Sequence, residues 1–230
     1  MKRYTTLLFD ADRTLFDFDT AERDAFGIVM DKFGIQYTDA DFSRYVDVNN
    51  ELWEQLGRGE ITKKYLQDNR FGIFFDSVGK RVNKPSAVLN SEYVDELANV
   101  SKLFEGALAL CRELSQHYDM YIVTNGVSHT QKKRFYLSPI HGYFKDIFVS
   151  EDAGAAKPKA EYFDYVFANI GEDRRESSVI IGDSLSHDIL GGNGYGIDTV
   201  WYNPKNAENT MGIIPTKTVR SYAELLELLL

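Results

Sequence analysis

Asp10 and Asp12 stand in the stretch Leu7-Leu8-Phe9-Asp10-Ala11-Asp12-Arg13-Thr14-Leu15, directly after a short apolar run. Two carboxylates two residues apart share one small site where the chain turns. Such a pair holds a divalent cation, or divides into a nucleophile and a general acid/base. Asp also forms turns on its own account, so this stretch alone leaves both readings open. Farther along, Thr124 and Asn125 follow the apolar residues 120–123, and Asp183, Ser184 and Asp188 follow residues 179–181. Lys157 lies between them, in Gly154-Ala155-Ala156-Lys157-Pro158. Several carboxylates, a hydroxyl and a lysine at one place are the parts of a phosphoryl-transfer site. Carboxylates hold Mg²⁺, while the hydroxyl, backbone N–H groups and lysine neutralise phosphoryl oxygens.

The elements that must position these groups follow from the pattern. Residues 7–9, 120–123, 147–149, 179–181 and 199–202 read as short buried strands. Helical patterns over 106–117, 128–136, 160–170, 187–191 and 221–229 alternate with them, the last opened by Ser221 with Glu224 three residues on. Strands alternating with helices predict a parallel sheet covered on both faces, with every strand's carboxyl end at one edge. Between the first strand and the rest, residues 19–100 are helical with polar punctuation. Asp19 with Glu22 and Thr38 with Asp41 have capping-box spacing, residues 61–78 form a third run, and Pro85 is expected in the first turn of a fourth. The expected fold is α/β, a Rossmann-like parallel core (1–18 and 101–230) with an inserted all-helical cap (19–100).

Composition narrows the partners. The chain has 230 residues and a formal net charge of -9, which disfavours a nucleic-acid backbone. One cysteine excludes an internal disulfide and fits a reducing compartment. Lys2 and Arg3 lead into no long apolar region, and no stretch approaches the roughly 20 apolar residues of a membrane span, so neither signal peptide nor membrane contact is expected. A cytoplasmic protein, monomeric or homodimeric, is the expectation.

Asp10-Ala11-Asp12-Arg13-Thr14, Thr124-Asn125, Lys157-Pro158 and Gly182-Asp183-Ser184 with Asp188 resemble the four motifs of the haloacid dehalogenase-like hydrolase superfamily. Their order fits nearly the whole chain, and the helical insert lies where the superfamily places its cap. The resemblance implies Asp10 as the nucleophile, forming an aspartyl-phosphate, and Asp12 as the acid/base. It implies Mg²⁺ bound by Asp10, the backbone carbonyl of Asp12, and Asp183, with Asp188 holding Lys157 or metal-bound water. Thr124, the amide of Asn125 and Lys157 would grip the phosphoryl oxygens. Within the superfamily, Asn49, Trp53, Gly59-Glu60-Ile61-Thr62, Arg70-Phe71 and Trp201-Tyr202-Asn203 look like the pyrimidine 5′-nucleotidase type. That makes a nucleoside 5′-monophosphate the expected substrate, with Asn49 on a base edge, Trp53 or Phe16 stacked on the base and Arg70 beside an anion. A cap-core role for Trp53 and Phe71 stands beside it, and sugar phosphates or phosphoglycolate are alternative substrates. A receiver-like phospho-accepting protein is a more remote alternative, since such domains lack the helical insert.

The remaining polar residues have plainer readings. Thr14 is expected to fix the turn by its hydroxyl, Ser184 to cap a helix, and His129 and His187 to be exposed. Lys63 and Lys64 read as solvated charges and Cys111 as core. Gly191, Gly192 and Gly194 are expected to allow close helix–sheet packing. Arg13 departs from the superfamily, where many members have Gly, which takes a positive φ at less cost.

Overall fold

The computed structural model describes residues 4–230; Lys2 and Arg3 lie outside the described residues. The chain divides into two compact units, one running up to Phe18 and resuming at Ser101–Leu230, the other Asp19–Val100.

In the first unit, β1 (Thr6–Phe9), β2 (Asp119–Thr124), β3 (Asp146–Val149), β4 (Ser178–Gly182), β5 (Asp198–Tyr202) and β6 (Lys217–Val219) form one sheet. Its order is β3-β2-β1-β4-β5-β6, and every pairing is parallel. Alternation along β1 sends Leu7 and Phe9 to one face and Leu8 to the other, all without solvent exposure. Helices α5 (Ala107–Leu114), α6 (Ser128–Leu137) and α10 (Tyr222–Leu229) cover the first face through Leu110, Cys111, Phe135 and Leu225. The opposite face packs on α8 (Ala160–Ile170) and α9 (Leu190–Tyr195) through Phe163, Val166, Phe167 and Tyr195; a short α7 (Ser150–Ala153) follows β3. Burying each large side chain contributes about 1.5–3 kcal/mol, so the two layers hold the sheet rigidly. Strand order reverses at β1, which has β2 on one side and β4 on the other. In an open parallel sheet the crevice at that switch point is where ligands bind.

The second unit contains α1 (Phe18–Lys32, its first residue in the other unit), α2 (Asp39–Gly57), α3 (Lys63–Ser77) and α4 (Ser86–Asn99). Its interior is aromatic: Phe26, Phe42, Tyr45, Phe71, Phe74 and Tyr93 make ring contacts such as Phe26–Tyr45 at 4.7 Å and Tyr45–Phe71 at 5.3 Å. Phe71 is core, whereas Trp53 is half-buried with the Lys63 ammonium 5.9 Å from its ring.

Two local expectations need correction. Helix α1 starts at Phe18, so Asp19 sits in its first turn, and Glu22 is buried, accepting from Asn49 rather than completing a capping box. Thr38 and Asp41 do form the reciprocal box of α2. Pro85 is the N-cap of α4, one position before its first turn. The sequence pattern does not predict strand β6, because three residues at a sheet edge, two of them exposed, leave no alternation to detect.

Candidate active site

Asp10 follows β1 directly, and its backbone N–H donates to Ile181 O at 2.9 Å. Thr124 ends β2, Asp183 follows β4, and Asp188 lies in the short π-helical turn Leu185–Ile189. Three chain segments far apart in sequence thereby meet at the carboxyl edge of the sheet.

Lys157 is the junction. Its Nζ donates to Asp10 Oδ1, Asp188 Oδ1 and Val123 O, each at 2.7 Å, and its side chain is 1% exposed. Asn125 holds the backbone that carries it: Nδ2 donates to Lys157 O and Oδ1 accepts from Lys157 N, both at 2.9 Å. Asp188 is fixed in turn, its Oδ2 accepting from Ser184 N at 3.1 Å. Its carboxylate lies so close to Gly182 that a Cβ there would fall 2.2 Å from Asp188 Oδ2. Only glycine ends β4 without displacing that carboxylate.

Carboxylate oxygens of Asp10, Asp183 and Asp188 lie within 4.8 Å of one another. Burial pushes the Asp10 carboxyl up to about 7 against the pull of Lys157, with Asp188 and Asp12 adding to the rise. Burial likewise raises Asp183, helped by Asp10 and Asp188. Burial alone would lower Lys157, yet Asp10 and Asp188 carry it above the usual lysine range. Lys157, with Arg13 acting on Asp183, is opposed by three crowded carboxylates, an excess of negative charge that suits a hard divalent cation with oxygen ligands. The donor set fits Mg²⁺. Asp12 offers no carboxylate oxygen to this group, because its side chain is engaged elsewhere.

That engagement involves residues not singled out from the sequence. Gln131 Nε2 donates to Asp12 Oδ2 at 2.6 Å, and Arg134 Nη2 donates to Asp12 Oδ1. Both donors come from α6 and both are buried. Gln131 and Arg134 stand three apart, immediately beyond Thr124-Asn125-Gly126, which is the one signal the sequence held; on an exposed-looking polar helix it reads as solvent face.

The remaining candidates sort as follows. Arg13 adopts φ 61, so this non-glycine residue does occupy the left-handed region. Its N–H donates to Phe16 O at 2.9 Å and its guanidinium lies 5.1 Å from the Phe18 ring. The Thr14 hydroxyl, expected to fix the turn, is buried with no hydrogen-bond partner among the described residues, while Thr14 O accepts from Tyr222 Oη. Ser184 caps its turn by accepting from His187 N. His129 is exposed, but His187 is half-buried, its Nδ1 3.0 Å from Ser184 Oγ. Lys64 is solvated beside Asp68, and burial pushes the Cys111 thiol up to about 12. A Cβ on Gly192 would meet Thr199 Cγ2 at 2.5 Å and one on Gly191 would meet Phe163 at 2.9 Å, whereas Gly194 faces open space and needs no close packing.

The expected substrate groups in the helical unit fare differently. Asn49 and Arg70 are 1% and 2% exposed, interior residues rather than a base edge and an anion site. Asn49 donates to Glu22 at 2.7 Å and accepts from Arg70 at 3.2 Å; Arg70 also donates to Asn90 and lies 4.7 Å from the Tyr93 ring centre. A buried cation requires such partners, and the network leaves these two residues committed to one another. Phe16 is also removed from the stacking candidates, being core beneath the Arg134 guanidinium.

A parallel α/β core with acidic residues and one lysine at its carboxyl edge defines a hydrolase class, and comparison with known proteins specifies it. Residues 7–202 match the family model of haloacid dehalogenase-like hydrolases. The HAD-hydrolase YfnB of Bacillus subtilis is 42% identical over all of this chain and 97% of its own. Pyrimidine 5′-nucleotidases PynA of Streptococcus pneumoniae and YjjG of Escherichia coli are 37% and 34% identical, across 98% and 99% of this chain and 95% and 98% of theirs. A crystal structure of YfnB, described as bound to magnesium, superposes with a TM-score of 0.93 over 99% of each chain. The chain belongs to the haloacid dehalogenase-like hydrolases. It is an enzyme, and the receiver-like alternative is set aside. No helix among the described residues is long and apolar enough to cross a membrane.

Proposed function

We propose that this chain is a Mg²⁺-dependent phosphatase that hydrolyses nucleoside 5′-monophosphates, pyrimidine nucleotides foremost, through a phosphoryl group carried on Asp10. The observation that carries the reading is the junction at Lys157, whose ammonium joins the proposed nucleophile Asp10 to Asp188 while Asp12 stands on a separate arm. The nucleotide class rests on the two full-length pyrimidine 5′-nucleotidase relatives.

An oxygen of Asp10 attacks phosphorus, and the bond from phosphorus to the ester oxygen breaks. Asp12 gives its proton to the departing alkoxide. Asp12 then takes a proton from water, the hydroxide attacks the phosphorus, and phosphate leaves with Asp10 restored. Thr124 and the Asn125 backbone N–H hold the phosphoryl oxygens as fixed donors, while Lys157, whose three N–H groups are taken by Asp10, Asp188 and Val123 O, contributes its positive charge. Asp10, Asp183 and the Asp12 carbonyl, with Asp188 beside them, would hold Mg²⁺, which when bound would supply the charge relief that lets one anion approach another.

The helical unit is assigned the role of cap on connectivity, being inserted between β1 and the rest of the core. Trp53, partly exposed, remains its candidate for base stacking.

A phosphate-release screen tests this reading. It covers nucleoside monophosphates, sugar phosphates and phosphoglycolate, each with Mg²⁺ and with chelator. Turnover of pyrimidine nucleotides that chelator abolishes is expected. A preference for a sugar phosphate or phosphoglycolate would reassign the substrate, and turnover indifferent to chelator would remove the metal. Within the screen, Trp53→Ala should reduce kcat/KM for a nucleotide more than for an aryl phosphate; equal losses would exclude Trp53 from base selection.

A further inference from the structure

We propose that Gln131 and Arg134 are positioning residues for the proton-transfer step, holding the carboxylate of Asp12 in the plane from which it serves the leaving oxygen. The inference rests on the phosphoryl-transfer reading above and adds to it the parts that aim its acid/base.

Asp12, Gln131 and Arg134 close a triangle. Gln131 Nε2 donates to one Asp12 oxygen at 2.6 Å, Arg134 Nη2 donates to the other, and Arg134 Nη2 also donates to Gln131 Oε1 at 2.8 Å. A carboxylate on a short stem turns easily about its last bond. Two donors fixed on its two different oxygens remove that freedom. Each oxygen keeps a second lone pair for the proton it exchanges.

The donors are themselves immobile. Arg134 has a side chain 1% exposed, and its guanidinium lies 4.6 Å from the centre of the Phe16 ring. Gln131 is 4% exposed and passes directly over Gly126, where a Cβ would fall 2.1 Å from its Nε2 and 2.4 Å from its Cγ. The glycine after Thr124-Asn125 is therefore what lets Gln131 reach Asp12 at all.

Stability alone does not account for this arrangement. The Asp12 side chain is 25% exposed and would be hydrated without help, whereas Arg134 is taken out of water with its Nε left without a partner among the described residues. A buried cation incompletely satisfied is costly. What the arrangement does provide is orientation. Proton transfer needs the heavy atoms within about 2.6–3.2 Å, and a displacement near 1 Å costs on the order of 10²-fold in rate.

The test uses leaving groups. An alkoxide leaving from uridine 5′-monophosphate needs a proton, whereas a nitrophenolate leaves readily without one. Arg134→Met and Gln131→Met keep side-chain bulk and remove the donors. In each, kcat/KM for the nucleotide should fall at least about tenfold more than kcat/KM for p-nitrophenyl phosphate, a share of the 10²–10⁴-fold typical of acid–base catalysis. Placed on Asp12→Asn, the same substitutions should change neither substrate further, because residues acting through one group are not additive. Equal losses for both substrates, or full additivity with Asp12→Asn, would overturn the proposal. Should Arg134→Met not fold, Gln131→Met decides alone, since it addresses the other Asp12 oxygen. Asp10→Asn is measured alongside and should turn over neither substrate. Turnover there would overturn the nucleophile on which this inference rests, a failure distinct from equal losses.

Discussion

Replacing Lys157 by Met keeps the length of the side chain and removes the charge at the centre of the site. In the folded protein the ammonium satisfies Asp10, Asp188 and the carbonyl of Val123 at once, and all three contacts are 2.7 Å long. The side chains of Asp10 and Asp188 are 11% and 1% exposed, so water cannot replace it. Removing one partner of a buried pair costs about 3–5 kcal/mol, because the other charge stays behind unpaired. For a chain of this size that corresponds to a fall in Tm of about 6–20 °C. Urea unfolding at pH 7.5 in chelator measures it. The penalty is electrostatic, so it should shrink at pH 5, below the value of about 7 to which burial raises the Asp10 carboxyl. Adding Asp188→Asn to Lys157→Met should restore part of the loss, since it deletes one of the two stranded charges. A loss below about 1 kcal/mol, or one equal at pH 5 and pH 7.5, would refute the view that Lys157 is held by charge.

Three further outcomes follow from the same geometry. Asp10→Asn should abolish turnover without lowering Tm in chelator, since it removes one of three crowded carboxylates and keeps the shape; more than trace activity would exclude Asp10 as nucleophile. The increase in Tm on adding Mg²⁺ should be larger at pH 8 than at pH 5. The Asp10 carboxyl is raised to about 7 when folded, so its contribution to stability without metal is fully present below its unfolded value and is lost as pH rises through 7. An increase independent of pH, read by thermal melts, would contradict this site for the ion. Arg70→Met should destabilise the protein by several kcal/mol, about 3–5 by the same rule for buried charges, because the buried Glu22 carboxylate, which accepts from Asn49 and Tyr93, would lose the guanidinium to which Asn49 bridges it. Melts unchanged within about 1 kcal/mol would return Arg70 to the list of substrate contacts.

The sequence by itself determined the sheet and the acidic edge. Leu7-Leu8-Phe9, residues 120–123 and residues 179–181 are apolar runs of strand length, and each is followed at once by the polar residues that ligands need. Such signals are local: a strand's burial is written in its own residues, and the end of the apolar run is where the chain leaves the sheet. The capping box at Thr38 and Asp41 was legible for the same reason, since every atom involved lies within four residues. Tertiary structure alone decided which polar residues face one another. Gln131 and Arg134 stand on a helix whose sequence looks solvent-facing, and they become site residues only because α6 lies beside the turn carrying Asp12, more than a hundred positions away. Asn49 and Arg70 look like ligand groups in isolation, and Glu22 and Asn90, 27 and 20 positions distant, bury them instead. A polar side chain's role depends on the partner that replaces its water, and that partner is supplied by packing between elements rather than by neighbours in the chain.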